Sequence, residues 1–364
     1  MNISTNATAV KLDYCGEKET SLKIIFHASF LVFIMIATIF GNVLVITAVC
    51  MFPRLRRMTN FFIVSLAISD LLVGVMHLPL RIDATVRDMW CQPLGACAYW
   101  IVIDAIFSAA SICNLAVISV DRYLAITRPF DYQQLMSKCR ATAVIAFVWI
   151  YACIWGLLGL FNWETGRYPI SIEKSGGSCT NKNPVYYTTT ACFSFFLPLL
   201  ITIVMYMFIF RVALKQAKAM AVMDPGKKGR RHMVREMKAT KTLAIVVGVF
   251  TVSWLPFFTI LILAFWCTKC LQPMSDYEAL GQTIHIIFVY FLPPMNSCVN
   301  PVIYSVFNSE FRGAFHRMLS LKRFRESHYA AVELELSLTE ANHNRTNREP
   351  SQRKQRRNGN TNQE

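Results

Sequence analysis

Seven apolar stretches, each long enough to cross a lipid bilayer, run through the sequence. They cover residues 25–50, 59–82, 97–120, 141–161, 185–210, 240–265 and 281–305. A helix of about 20 apolar residues spans the hydrocarbon core of a membrane. The chain of 364 residues is 54% hydrophobic and 16% charged, which is too apolar for a soluble globule of this length. The sequence therefore predicts an all-α membrane protein, a seven-transmembrane helix bundle.

Basic residues concentrate in the odd-numbered connections between these stretches. They are Arg54, Arg56 and Arg57 in the first, Arg128, Lys138 and Arg140 in the third, and Lys215, Lys218, Lys227, Lys228, Arg230, Arg231 and Arg235 in the fifth. Positive charge marks cytoplasmic loops. We therefore expect a multi-pass plasma-membrane protein with an extracellular N-terminus and a cytoplasmic C-terminus. The net charge of +15 reflects this asymmetry and a basic tail, so no nucleic-acid partner is expected.

The chain divides into four parts, and the largest is the seven-transmembrane bundle at residues 25–306. Residues 1–24 form an extracellular N-terminus with glycosylation sequons at Asn2 and Asn6. Residues 307–320 predict a short amphipathic eighth helix, whose arginines can reach lipid headgroups. Residues 321–364 are polar and basic with few aromatics, which predicts a disordered cytoplasmic tail.

The third stretch carries a charge near each membrane face. Asp104 and Arg122 lie eighteen residues apart, five helical turns, so both project from one face about 27 Å apart. A carboxylate inside a spanning helix costs roughly 2.5 kcal/mol or more unless it faces a cavity or a partner. The alternative is a structural charge held by a neighbouring helix. We interpret Asp104 as a functional residue.

Aromatic and hydroxyl side chains recur on the stretches that would surround Asp104. A carboxylate with ring faces around it suits a small organic cation. Any one of these residues alone would be ordinary packing, and their convergence on Asp104 predicts a ligand pocket. The predicted ligand-binding residues are Asp104, Trp100, Ser108, Thr190, Ser194, Trp254, Phe257, Phe258 and Tyr290.

Polar residues also occur at mid-depth in several stretches, beginning with Asn42 and Asp70. Oxygen ligands around one carboxylate suit a small hard cation, so an allosteric sodium ion is one interpretation, and a hydrogen-bonded core without an ion is the other. The predicted sodium ligands are Asp70, Ser111, Asn296 and Ser297. No other cofactor is expected.

Six cysteines fall on the face predicted to be extracellular, where disulfides form, and the state of two of them, Cys15 and Cys91, is left open. A bridge between Cys97 and Cys179 would hold the second outer loop over the mouth of the bundle. Cys267 and Cys270 are close enough in sequence to bridge locally. A zinc or redox site is the rival interpretation of this second pair, but a lone Cys-x-x-Cys motif is weak support for it.

The chain resembles the class A, or rhodopsin-like, G-protein-coupled receptors. The motifs that carry the resemblance occur in order on all seven stretches. They are Gly41-Asn42, Leu66-Ala67 with Asp70, Asp121-Arg122-Tyr123, Trp149, Pro198 with Tyr206, Ser253-Trp254-Leu255-Pro256-Phe257-Phe258, and Asn300-Pro301-Val302-Ile303-Tyr304.

Within that family the sequence is similar to the biogenic amine receptors, the histamine, dopamine, adrenergic and trace-amine groups. The resemblance implies that Asp104 is the amine counter-ion. In the seventh stretch, Phe291-Leu292-Pro293-Pro294 stands where these receptors usually have Trp-Leu-Gly-Tyr, so the tyrosine that contacts the aspartate is absent. A peptide or other non-monoamine ligand is therefore the alternative.

The resemblance also implies a mechanism and partners. Arg122 would pair with Asp121 and Glu236 in the inactive state. Activation would free Arg122 and open a cleft for a heterotrimeric G protein. The short third inner loop favours the stimulatory type of G protein. Arrestin and receptor kinases would act on the tail. The implied coupling residues are Asp121, Arg122, Tyr123, Phe130, Tyr206, Glu236, Asn300, Pro301 and Tyr304, and the implied transmission residues are Ile112, Pro198 and Phe250.

Other classes of protein fit the sequence poorly. A light-sensing opsin needs a lysine in the seventh stretch, and residues 281–304 contain none. A transporter would be expected to show repeats or broken helices at corresponding positions in two halves. No nucleophile with a neighbouring base is recognisable, so we do not expect an enzyme.

Overall fold

A computed structural model describes residues 21–128, 131–161, 169–172, 177–222, 228–267, 270, 284 and 286–320. Within its helices, the side chains at 133, 213–214, 216–222, 228–241 and 243 fall outside the description. The predictions for Asn2, Asn6, Phe130 and the tail 321–364 concern residues outside these ranges, and so does the predicted role of the Glu236 side chain.

Seven helices in the described part of the chain are long and apolar enough to cross a membrane, as predicted. The seven spans, numbered in order, are Leu22–Met51, Met58–Arg87, Leu94–Thr127, Lys138–Leu158, Pro184–Val212, Ala244–Trp266 and Ile286–Phe307. The fifth span continues as helix to Val222, and the helix containing the sixth begins at Lys228. Short helical turns at Pro53–Leu55 and Tyr132–Leu135 lie in two connections.

Polar side chains fix where three spans begin. The hydroxyls of Ser21 and Ser137 accept hydrogen bonds from the backbone amides three residues on, and the Asn183 side chain does the same for Tyr186. These N-caps satisfy amides that have no partner inside the helix. One capping residue therefore determines where each of the first, fourth and fifth spans begins.

Prolines distort the second, fifth and seventh spans in one common way. A proline lacks the amide that the carbonyl four residues earlier needs, and the helix widens locally into a π-turn. The π-turns are Val73–His77, Ala191–Phe196 and Ile286–Phe291, and the prolines that follow them are Pro79, Pro198 and Pro293. Pro256 and Pro301 instead lie inside continuous helices.

The spans approach closely where small and polar residues meet. A Cβ atom built on Gly41 would lie 2.8 Å from the Pro301 Cβ, so the first and seventh spans need glycine here. The Asn42 amide donates to the Ser297 backbone carbonyl at 3.0 Å. The Trp149 indole donates to the Ser65 hydroxyl at 3.1 Å and joins the fourth span to the second. Close approach with polar bonds between helices is the normal packing mode in membranes.

A two-stranded hairpin lies in the connection between the fourth and fifth spans. Ile170–Ile172 pairs antiparallel with Cys179–Asn181. Cys179 is bonded to Cys97 at the start of the third span, and Cys267 is bonded to Cys270. Both predicted disulfides are thus present, and the first attaches the hairpin to the bundle.

The predicted eighth helix is present and slightly shorter than expected. It covers Ser309–Leu319, because the Asn308 side chain accepts hydrogen bonds from the amides of Glu310 and Phe311 and so begins a new helix there. The seventh span ends at Phe307, so the two helices are separated by one residue. The Phe311 ring stacks on Tyr304, with ring centroids 5.5 Å apart.

Candidate functional site

A cavity opens among the second, third, sixth and seventh spans, next to Asp104. It contains about 560 Å³ of empty space, part of it open to solvent. Its walls are Val73, His77, Leu78, Arg81, Asp104, Ser108, Ser111, Phe250, Trp254, Phe257, Val289, Pro293, Pro294, Asn296 and Ser297. A concave site with apolar walls and a few polar groups is the usual form of a small-molecule pocket.

Asp104 presents a partly open carboxylate to this cavity. Its side chain is 46% exposed, and its one ion-pair contact within the described residues is the His77 ring, with Nδ1 3.5 Å from Oδ1. The His77 ring is buried and stacks on Trp100 at 5.0 Å between centroids. His77 thus supplies the neighbour to Asp104 that the altered seventh-span motif cannot.

Arg81 brings a second full charge to the cavity, one turn beyond His77 on the second span. Its Nη2 donates to the Val289 backbone carbonyl at 3.2 Å. That carbonyl has no helical donor four or five residues on, because Pro293 and Pro294 both lack an amide hydrogen. The double proline therefore creates the acceptor that holds this guanidinium, which also lies 5.8 Å from the centre of the Tyr290 ring.

Aromatic rings form the side of the cavity contributed by the sixth span. Trp254 and Phe257 line it, and their rings meet edge to face at 5.5 Å. Phe258 lies behind Trp254 and stacks on Phe195 of the fifth span at 4.4 Å. Phe250 lines the cavity one turn below Trp254 and contacts the same fifth-span ring. The rings connect the sixth span to the π-turn of the fifth.

The predicted ligand-binding residues divide into two groups. Four lie on the cavity wall, and five do not. Those on the wall are Asp104, Ser108, Trp254 and Phe257, and those outside it are Trp100, Thr190, Ser194, Phe258 and Tyr290. Trp100, Phe258 and Tyr290 contact wall residues, as described above. Ser194 is buried in the fifth-span π-turn, and its hydroxyl has no hydrogen-bond partner in the described part of the chain.

A polar cluster around Asp70 lies below the cavity. The buried Asp70 carboxylate accepts from the Asn300 amide at 2.7 Å and from the Ser111 hydroxyl at 3.3 Å. Ser111 also bonds the Ser69 hydroxyl at 2.9 Å. Ser297 and Asn296 complete the predicted set as cavity-wall residues. One carboxylate with hydroxyl and amide oxygens matches the ligands that small hard cations prefer.

A charged network closes the opposite end of the third span. The buried Asp121 carboxylate pairs with the Arg122 guanidinium at 2.9 Å and also accepts from the Thr59 and Tyr132 hydroxyls, at 2.5 and 2.6 Å. Arg122 itself donates to the Thr59 hydroxyl. Burial, and then the charge of Asp121, raises the pKa of the Tyr132 phenol, so it stays a proton donor.

The remaining residues assigned to coupling and transmission lie around this network or above it. Tyr123 packs against Phe208 of the fifth span at 5.9 Å. The hydroxyls of Tyr206 and Tyr304 are buried and have no partner within the described residues. Ile112 is buried in the third span. Unused buried hydroxyls are costly, which is consistent with side chains that find partners in another conformation.

Four residues of these two sites were missed by the sequence analysis. His77 and Arg81 are ionisable groups four residues apart near the end of the second stretch. Ionisable residues within spans mark function, so the signal was present. Thr59, at the start of the second span, and Tyr132, in a connection, carry no signal of their own, because a single hydroxyl looks ordinary until the fold brings it to Asp121.

Comparison with known proteins agrees with this architecture. Residues 41–304 match the model of the 7 transmembrane receptor (rhodopsin family). The chain belongs to the rhodopsin family of seven-transmembrane receptors. This receptor is therefore a multi-pass protein of the plasma membrane and not an enzyme.

Named relatives of this receptor include dopamine receptors of three vertebrates. It is 36% identical to the D(1B) dopamine receptor of Xenopus laevis over 80% of this chain and 69% of that one. It is 33% identical to the D(1)-like dopamine receptor of Takifugu rubripes, over 84% and 72% of the two chains. It is also 33% identical to the D(1) dopamine receptor of Carassius auratus, over 88% and 95%.

Proposed function

We propose that this receptor binds a small cationic amine through Asp104 and then activates a heterotrimeric G protein. The observation that carries the proposal is the half-exposed Asp104 carboxylate on the wall of an aromatic-lined cavity. The relatives named as dopamine receptors support the same ligand class. The accessible carboxylate can accept an ammonium hydrogen bond, which contributes about 1.5–3 kcal/mol when one partner is charged.

The rings beside Asp104 would provide the remaining affinity and the signal. Trp254 and Phe257 can present their faces to an ammonium or pack on an aromatic ligand. Their contacts extend through Phe258 and Phe195 to the fifth span. A ligand that packs better against one arrangement of these rings shifts the population towards it, because only differential affinity can move an equilibrium.

The Arg122 network would be the element that this shift opens. In the structure Arg122 is held by Asp121 and Thr59, so it is not available to a partner. Release would allow the buried hydroxyls of Tyr206 and Tyr304 to bond elsewhere, and the sixth span would move outward to admit a G-protein helix. Phe250 on the cavity wall, together with Ile112 and Pro198, would repack to transmit the change.

We propose the stimulatory G protein as the partner, with receptor kinases and arrestin acting on the tail. The bundle would sit with its Asp104 end extracellular, which places the hairpin and both disulfides on the oxidising side. The basic connections then face the cytoplasm. Lipid headgroups would contact the eighth helix.

We also propose a sodium ion at Asp70, held with Ser111, Asn296 and Ser297. The donor set fits, and a bound cation would favour the packed arrangement around Asp70. Agonist affinity should fall when sodium chloride replaces N-methylglucamine chloride at equal ionic strength. Asp70→Asn should remove that sodium dependence. Equal affinity in the two salts for the unmodified receptor would contradict the proposal.

The test of the amine proposal is a cyclic AMP response in cells expressing the receptor. The panel is dopamine, histamine, octopamine, tyramine, serotonin and adrenaline, with Asp104→Ala in parallel and surface expression measured for both. We expect a response to at least one amine that the variant loses. A response that survives Asp104→Ala would contradict binding through Asp104, and silence from all amines would favour a peptide or another ligand class.

A further inference from the structure

The cavity carries two opposite charges on one wall. Asp104 and Arg81 both line it and interact electrostatically, and His77 lies 3.5 Å from the Asp104 carboxylate. Within the described residues Arg81 has no carboxylate within 4.0 Å, and its guanidinium contacts one backbone carbonyl and one ring face. The nearby Asp83 already pairs with Arg87 at 2.8 Å and accepts from Gln92 at 3.0 Å.

The position of Arg81 is fixed by the backbone rather than by an anion. One guanidinium nitrogen satisfies the Val289 carbonyl, which the double proline leaves without a helical donor. A guanidinium has five N–H donors in a planar fork suited to a carboxylate. A neutral donor could serve the carbonyl equally well, and Asp104 acts on the Arg81 charge only from beyond 4.0 Å, so the guanidinium has no directly bonded carboxylate within the described residues. Charged residues in spans usually face cavities and mark substrate sites.

A monoamine without an acidic group would pair with only one of the two charges on this wall. Its ammonium would contact Asp104 but would also place a second positive charge close to Arg81, which is unfavourable in a partly buried site. A molecule with an acidic group beside the ammonium would pair both protein charges. The apolar and aromatic remainder of the wall then accommodates the rest of the ligand.

We propose that the ligand of this receptor is zwitterionic, an amino acid or a derivative, with its ammonium on Asp104 and its carboxylate on Arg81. This inference rests on the proposed amine-type site and narrows its ligand class. Arg81 is the specificity-determining residue. Arg81 strengthens the binding of a ligand with a carboxylate and weakens the binding of the decarboxylated amine, whereas Asp104 is needed to bind either ligand.

The experiment compares each amine with its parent amino acid. The pairs are tyramine with tyrosine, dopamine with 3,4-dihydroxyphenylalanine, and tryptamine with tryptophan, measured by cyclic AMP response and by thermal stabilisation of the purified receptor. The variant is Arg81→Gln, because glutamine keeps an amide donor for the Val289 carbonyl and removes the charge. The matched control is Arg87→Gln, whose side chain is exposed, pairs with Asp83 and lies off the cavity wall.

We expect the amino acid of at least one pair to act at lower concentration than its amine on the unmodified receptor. Arg81→Gln should raise the effective concentration of that amino acid at least tenfold and leave or lower that of the amine. Arg87→Gln should change neither. If Arg81→Gln does not reach the cell surface, Arg81→Lys and the order of potency within each pair still decide the matter.

Three results would overturn the inference in distinguishable ways. Amines that act while no amino acid does would refute the zwitterionic ligand and leave the amine site standing. Equal shifts for amine and amino acid in Arg81→Gln would make Arg81 a structural residue. Neither response nor stabilisation from these six compounds, together with silence from histamine, octopamine, serotonin and adrenaline, would contradict this inference and the proposed amine function together.

Discussion

Replacing Tyr132 by phenylalanine should raise the ligand-free activity of the receptor. The Tyr132 phenol donates to the Asp121 carboxylate at 2.6 Å, next to the Arg122 pair. The substitution removes only this hydroxyl. If the bond exists only while Arg122 is held, its loss destabilises the inactive state and leaves the active state unchanged.

The magnitude follows from the charge on the acceptor. A hydrogen bond to a charged group contributes roughly 1.5–3 kcal/mol. We take the lower end, because Tyr132 is only partly buried. About 1.4 kcal/mol is tenfold in an equilibrium constant, so an active population of about 1% would rise to about 10%.

The assay is ligand-free G-protein activation in cells, normalised to the amount of receptor at the surface. Tyr151→Phe is the matched control, since its hydroxyl donates to the Phe193 carbonyl at 2.8 Å on an exposed surface away from Arg122. The control should match the unmodified receptor. Unchanged or lower basal activity of Tyr132→Phe at normal surface expression would refute the idea that the Asp121 network holds the inactive state.

Two further pairs of substitutions test the packing and the disulfide bonds of the bundle. Gly41→Ala should lower the melting temperature of the purified receptor, because the new methyl group would lie 2.8 Å from the Pro301 Cβ and overpacking costs about 1–3 kcal/mol. In the control Gly248→Ala the new methyl group meets no neighbouring atom within 4 Å, so the melting temperature should not fall. Cys97→Ser should destabilise the receptor more than Cys267→Ser, since the bridges join residues 82 and 3 apart and chain entropy assigns them about 4.5 and about 2 kcal/mol. Equal melting temperatures within either pair would contradict these assignments.

The fold was largely predictable because membrane-spanning helices obey a simple rule of length and hydropathy. All seven spans, the eighth helix and both disulfides appear where the sequence indicated, with ends shifted by a few residues. The shifts have local causes, such as Asn308, which begins the eighth helix two residues later than expected. Single capping side chains of this kind are not visible in a hydropathy pattern.

The candidate site was only partly predictable. Asp104 and Arg122 stood out because charge inside a span is expensive. The contact of His77 with Asp104 and the bond from Arg81 to Val289 depend on how the second and seventh spans lie against each other. The sequence shows the two prolines but not which donor satisfies the carbonyl that they leave free.

The central claim is that Asp104 is the counter-ion of a cationic ligand. It is tested most directly by measuring ligand binding after the Asp104 carboxylate, or the control carboxylate of Asp83, is replaced by a neutral amide. The affinity of the most potent compound should be measured on membranes containing the unmodified receptor, Asp104→Asn or Asp83→Asn. Loss of a charge-assisted bond predicts an affinity about ten- to a hundredfold weaker for Asp104→Asn, and no change for Asp83→Asn, whose carboxylate is off the cavity wall. Unchanged affinity in Asp104→Asn would contradict the account.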